Sequence, residues 1–149
     1  MKTRLLVVDD EEEFLQTLAE RLTLRNYDVT TSQSGEDAIE QIKRYLFDVA
    51  ILDVAMPGMA GIETLREIKR LKPLTEVIML TGHATVDSAI EGMKLGAWDY
   101  LMKPCNTEDL VNMIDKAHDR KAEQEERIRV DRVSEIITSP RSVLKKKKQ

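Results

Sequence analysis

The stretch Val49-Ala50-Ile51-Leu52-Asp53 decides the fold. Four apolar residues without alternation are too short for a helix and read as a strand buried on both faces. An aspartate closes the run where the apolar pattern stops. The same design recurs on either side. Leu5–Val8 is followed by Asp9 and Asp10, Val77–Leu80 by Thr81, and Tyr100–Met102 by Lys103 and Pro104; Tyr27–Thr31 is a fifth short run. Between the runs, apolar residues recur mostly at spacings of three and four: Phe14, Leu15, Leu18, Leu22 and Leu24, then Ala38, Ile39 and Ile42, then Leu65, Ile68 and Leu71, then Ala89, Ile90 and Met93. That period is helical. Gly35, Pro57-Gly58, Gly61, Pro73, Gly82, Gly96 and Pro104 punctuate the boundaries. Five strands alternating with five helices predict an α/β fold, a doubly wound parallel sheet with helices on both faces. The 149 residues are too few for a closed eight-stranded barrel.

Composition narrows the function classes. At 42% apolar and 34% charged, the chain can bury a core, which excludes a wholly disordered protein. The net charge of −4 argues against a general nucleic-acid coat. The single cysteine, Cys105, excludes a disulfide framework and a Cys-rich zinc site, and two histidines, His83 and His118, leave little for a His-based metal centre. No apolar run approaches the ~20 residues of a membrane span. The N-terminus is basic and then only briefly apolar, which is not a secretory signal. A cytoplasmic protein is expected.

The polar residues that close the strands carry the chemistry. In a parallel sheet all carboxyl ends lie on one edge, so Asp9, Asp10, Asp53, Thr81 and Lys103 converge on the crevice where open α/β sheets bind ligands. Three carboxylates placed together repel unless a cation joins them. A hard divalent ion such as Mg²⁺ suits oxygen ligands of this kind. A lysine ammonium and a threonine hydroxyl add donors without negative charge, a set that would hold a phosphoryl group. Asp53 is then the candidate nucleophile, since carboxylates form aspartyl phosphates.

Four segments, Leu6-Val7-Val8-Asp9-Asp10-Glu11, Ile51-Leu52-Asp53-Val54-Ala55-Met56-Pro57-Gly58-Met59, Leu80-Thr81-Gly82 and Tyr100-Leu101-Met102-Lys103-Pro104, resemble the receiver domain of bacterial two-component response regulators. The resemblance spans roughly residues 3–118. It implies a flavodoxin-like sheet of order 2-1-3-4-5. It implies that Asp53 accepts a phosphoryl group from a sensor histidine kinase, in a reaction dependent on Mg²⁺, for which Mn²⁺ would substitute. It further implies that Asp10 binds the metal directly, that Asp9 ligates it or orients water, and that the Ala55 carbonyl completes the metal site. Thr81 and Lys103 would bind phosphoryl oxygens, Tyr100 would change rotamer as Thr81 moves, and the Lys103–Pro104 bond would be cis. Ala55 and His83 occupy the positions that influence phosphate lifetime in the family. Because the Ala55 side chain cannot hydrogen-bond an attacking water, a long-lived phosphoryl-Asp53 is expected. In motif style, Leu80-Thr81-Gly82-His83-Ala84 and Gly92-Met93-Lys94-Leu95-Gly96-Ala97 resemble receivers that precede ATPase domains in nitrogen-regulator-type transcriptional activators.

This reading makes the chain a switch and not a metabolic enzyme. A phosphohydrolase working through an aspartyl phosphate often carries a second acid two residues after the nucleophile, where this chain has Ala55. A phosphate-independent interaction module would not need the full set of Asp9, Asp10, Asp53, Thr81 and Lys103. Glu11 and Glu12 are expected to begin a helix, where acids suit the dipole. Cys105 is expected to pack, as are Trp98 and Met102 near the fifth strand.

Charge divides the chain. Residues 1–117 hold 13 basic and 21 acidic side chains, and residues 118–149 hold 10 and 6. The expected organisation is a receiver body over 1–118, a helical extension of the fifth helix over 119–138, and a basic disordered tail over 139–149. The fifth helix should begin near Thr107, whose side chain can cap it, with Leu110, Met113, Ile114 and Ala117 towards the sheet. Ile128, Val130, Val133, Ile136 and Ile137 form a second apolar set, which suggests a homodimer through this helix or through helix four, strand five and helix five. The run Lys145–Lys148 alone is weak support for DNA binding, which is not expected of this chain. No phosphate loop or helix-turn-helix of useful length is present. The chain is therefore expected to be a stand-alone receiver or a piece of a larger activator, with an output partner the sequence does not name.

Overall fold

The structure, a computed structural model, describes residues 2–54, 61–82 and 86–138, apart from the side chains of residues 81, 86–88, 137 and 138. Strands and helices alternate as the patterning predicts: β1 (Arg4–Val8), α1 (Glu12–Leu24), β2 (Asp28–Ser32), α2 (Gly35–Arg44), β3 (Val49–Leu52), α3 (Gly61–Leu71), β4 (Glu76–Thr81), α4 (Val86–Lys94), β5 (Asp99–Met102) and α5 (Thr107–Thr138). The strands form one sheet of order β2-β1-β3-β4-β5, every pair parallel. The observed strand bounds differ from the apolar runs by a residue at most ends, because ladder pairing also takes in flanking polar residues such as Arg4 and Glu76.

Alternation along each strand sends successive side chains to opposite faces. Leu6, Val8, Ala50, Leu52, Val77 and Met79 meet α2 and α3 through Ala38, Ile39, Ile42, Leu65 and Ile68. Leu5, Val7, Val49, Ile51, Ile78 and Leu80 meet α1 and α5 through Leu15, Leu18, Leu22, Leu110, Ile114 and Ala117. Burying each such aliphatic side chain stabilises the fold by roughly 1.5–3 kcal/mol. Both faces are covered, which is why the central strands carry no polar alternation. Gly96 closes α4 at φ +102°, a left-handed position that favours glycine.

Several local expectations change. Leu24 is 87% exposed, because it lies about 200° round the helix from Leu22, off the buried stripe. Ile90, Met93 and Met102 are also exposed, whereas Trp98 packs on the α1–α5 side of the core. The α5 cap is Asn106, not Thr107: the Asn106 side chain accepts the Glu108 N–H at 2.7 Å, and Thr107 is the first helical residue. Cys105 is a free, half-buried thiol on the α1–α5 core cluster, as expected of a packing residue.

Candidate functional site

The carboxyl edge of the sheet brings the strand-end residues together. Asp9 follows β1, and its N–H donates to the Ser32 carbonyl of β2 at 3.1 Å. Asp53 follows β3, and its N–H donates to the Val8 carbonyl at 3.0 Å. These ladder continuations fix the two backbones side by side. Gly61, the first residue of α3, lies so close to the chain leaving Asp53 that a Cβ there would stand 2.1 Å from Val54 Cα and 2.6 Å from the Asp53 carbonyl oxygen. Only glycine permits that approach.

Asp9 and Asp53 are buried, and Asp10 is exposed at the mouth. Carboxylate oxygens of the three lie within 4.8 Å of one another, the group among the described residues able to hold a metal ion. An all-oxygen, acidic donor set of this kind fits a hard divalent cation such as Mg²⁺. Lys103, after β5, reaches the same group. Its Nζ stands 2.6 Å from Asp9 Oδ2, 3.6 Å from Asp53 Oδ2 and 3.3 Å from Glu11 Oε1, with its side chain only 13% exposed. The Lys103–Pro104 peptide bond is cis.

The electrostatics follow from burial and crowding. Burial pushes the Asp9 carboxyl above the usual aspartate range; hydrogen bonds from Lys103 and from the Glu11 N–H oppose the rise without cancelling it, and the Asp53 charge adds to it. For Lys103, burial works to lower the ammonium, but the hydrogen bond to Asp9 and the charges of Asp9 and Asp53 outweigh it and hold the group above the ordinary lysine value. The Asp9 direction thus reflects burial first, and the Lys103 direction the carboxylates gathered round it.

The remaining candidates stand as follows. Thr81 ends β4, level with Met102 of β5; its side chain lies outside the described residues, as do Ala55 and His83. Tyr100 is 41% exposed and faces α4, where it lines a pocket of about 440 Å³ with Ala89, Ile90, Met93 and Lys94. Sequence reasoning missed two neighbours of Lys103. Glu11 is the N-cap residue of α1, yet its side chain caps nothing and pairs with Lys103 instead. Phe14, read only as part of an apolar stripe, places its ring 4.0 Å from Lys103 Nζ. Their positions in the turns that follow the acidic pair were the available signal.

A doubly wound sheet with an acidic triad and a lysine at its crevice defines a class, the receiver domains of two-component signalling. The chain belongs to the response regulator receiver domain family, whose model matches residues 5–115. It is 40% identical over 113 residues to the transcriptional regulatory protein ZraR of Escherichia coli (strain K12), an alignment covering 76% of this chain and 26% of that protein. The chain thus spans about a quarter of the length of the curated relatives it matches. Among solved structures it is similar to a CheY-like response regulator receiver domain protein from Methanospirillum hungatei JF-1, with TM-score 0.81 and 29% identity over 83% of this chain and 99% of that one. It is similar also to a response regulator protein from Burkholderia pseudomallei solved with a phosphorylated aspartic acid, calcium ion and citrate, with TM-score 0.73 and 29% identity, covering 83% of this chain and 73% of that one. No helix among the described residues is long and apolar enough to cross a membrane.

Proposed function

We propose that this receiver is a Mg²⁺-dependent phosphorylation switch with Asp53 as acceptor and a sensor histidine kinase as donor. The observation that carries this reading is the placement of the Asp53 carboxylate among Asp9, Asp10 and Lys103. An Asp53 oxygen attacks the phosphorus of a phosphohistidine. The new P–O bond forms as the P–N bond breaks, and the imidazole leaves with the electron pair. Asp9, Asp10 and Asp53, with the Ala55 carbonyl, would hold Mg²⁺, or Mn²⁺ in its place. When bound, the ion offsets charge on the phosphoryl oxygens. Lys103 moves from its carboxylate partners to a phosphoryl oxygen, and the Thr81 hydroxyl donates to another. Tyr100 then responds, and the exposed face of Ile90, Met93 and Tyr100 presents a changed surface to a partner or a second copy. The chain turns over no external metabolite under this reading. Ala55 and His83 set a long phosphate lifetime. The receiver body ends near residue 118, residues 119–138 extend its last helix, and residues 139–149 form a basic tail. Relatives named as transcriptional regulators support an output in control of transcription through a partner or a linked domain.

Intact mass after incubation with Mg²⁺ and phosphoramidate tests the reading. Wild type gains one phosphoryl group, and Asp53→Ala gains none. Before any donor is added, Mg²⁺ raises the Tm of wild type by mass action on the folded state, and Asp10→Asn loses most of that rise. Equal uptake by Asp53→Ala would remove Asp53 from its role. Uptake without Mg²⁺ would remove the metal.

A further inference from the structure

The acidic partners of Lys103 explain why its ammonium is in the crevice, but not what would keep it there once a cation takes their oxygens. Three carboxylates surround Nζ, at 2.6 Å (Asp9), 3.3 Å (Glu11) and 3.6 Å (Asp53). Two of them, Asp9 and Asp53, belong to the group that would hold a cation. A cation there competes with the lysine for the same oxygens, and Glu11 is an exposed, solvated acid. One neighbour of Lys103 is untouched by this competition: Phe14, in the first turns of α1, with its ring centroid 4.0 Å from Nζ. That distance lies well inside the range at which a ring face attracts an ammonium. The ring is half-buried and packs against the α1–α5 core cluster. It offers no competing oxygen, and it excludes water from one side of the ammonium.

We propose that Phe14 is a positioning residue, whose ring face holds the Lys103 ammonium at the crevice for the phosphoryl oxygens on Asp53. The inference rests on the switch reading above. It gives α1 a part in the chemistry beyond carrying the core stripe. Leucine or methionine at this position would fill the space but leave the ammonium against a surface with no electrostatic attraction, so Lys103 would populate conformers turned out to solvent.

Two readouts on the full chain test this. The first is the side-chain NMR signal of Lys103, assigned by its loss in Lys103→Arg. In wild type its ε-methylene protons are shifted upfield by the ring current, and in Phe14→Leu that shift disappears. The second is the initial rate of phosphoryl uptake from phosphoramidate with Mg²⁺, followed by intact mass. Phe14→Leu lowers the rate about two- to tenfold, the range expected for loss of one cation–π contact. Phe14→Tyr, which keeps the face, stays close to wild type. In a Lys103→Ala background, Phe14→Leu causes no further loss, because the ring acts through the lysine. Should Phe14→Leu lower the Tm, Phe14→Met serves as the variant of nearer volume. An additive loss in the Lys103→Ala background, or Phe14→Tyr falling with Phe14→Leu, assigns Phe14 to packing alone and overturns the inference. An unshifted Lys103 signal in wild type overturns its geometry. Wild type that takes up phosphoryl while Phe14→Leu matches it sinks this inference only, whereas wild type that takes up none sinks the switch reading and this inference together.

Discussion

Ser32 shows how closely single residues are drawn at the sheet edge. Its carbonyl accepts the Asp9 N–H and so helps to place the acidic pair, yet its hydroxyl is buried without a hydrogen-bond partner among the described residues. A buried, unpaired hydroxyl costs free energy that a methyl group does not. Ser32→Ala is therefore expected to raise stability by about 1 kcal/mol, read as a higher urea midpoint at unchanged m-value. A lower midpoint would show that the hydroxyl contributes to the fold. Glu11 makes the complementary point. As an acid just before a helix it reads as a dipole residue, but Lys103 lies 92 positions away in sequence, and local rules cannot foresee it. Gly61 reads as punctuation; its real constraint is the backbone of Asp53 and Val54 against it.

Between elements, α1 and α5 share one face of the sheet and are tied at their ends. Arg25, the C-cap of α1, pairs with Glu108 in the first turn of α5. Tyr27, just before β2, donates its hydroxyl to Asp115 Oδ1 at 2.7 Å. Burial, then the hydrogen bond and charge of Asp115, hold the Tyr27 phenol above its ordinary pKa, so the folded state favours the neutral form. A raised pKa of this kind contributes stability that is full below the unfolded value near pH ~10 and is lost as pH climbs towards the folded value. Tyr27→Phe is expected to cost about 1 kcal/mol at neutral pH. It should also flatten the decline in stability above pH ~10, so that the two unfolding curves converge in alkali. Curves that stay parallel across that range would mean the hydroxyl is not coupled to folding. The Tyr27–Asp115 pair was not legible beforehand, because it joins positions 88 apart through a side chain whose apolar ring had already explained it.

At the scale of the whole molecule, α5 does two jobs along its 32 residues. As far as Lys121 it packs on the body. There Lys121 Nζ stands 3.3 Å from Asp48 Oδ1, beside the amino edge of β3, and Arg120 stacks over Trp98 at 5.2 Å. Beyond that point the helix presents Ile128, Val130, Val133 and Ile136, each at least 42% exposed. Val130 follows Lys121 by nine residues, about half a turn round the helix, whereas Ile128 follows it by seven and keeps to the side that docks on the sheet; both are exposed, so docking on the body ends before this stretch. The extension therefore adds little to the stability of the body. Removing residues 126–149, which spares the Lys121–Glu125 pair, is expected to leave the Tm within about 2 °C while lowering helical circular dichroism. A larger fall would reveal contacts between the removed residues and the receiver body.

Strand and helix order, the parallel sheet and the identity of Asp9, Asp10, Asp53 and Lys103 as one cluster followed from the sequence alone. Local apolar period decides element type, and parallel pairing of βα units carries every strand end to one edge. What only the tertiary structure decided is which neighbours meet across that edge. The seating of Lys103 between Asp9, Glu11 and the Phe14 ring depends on distances between elements. So do the outward turn of Tyr100 towards α4 and the approach of Gly61 to the Asp53 backbone. Those distances are set by how two packed layers close on the sheet, a long-range result that no window of sequence contains.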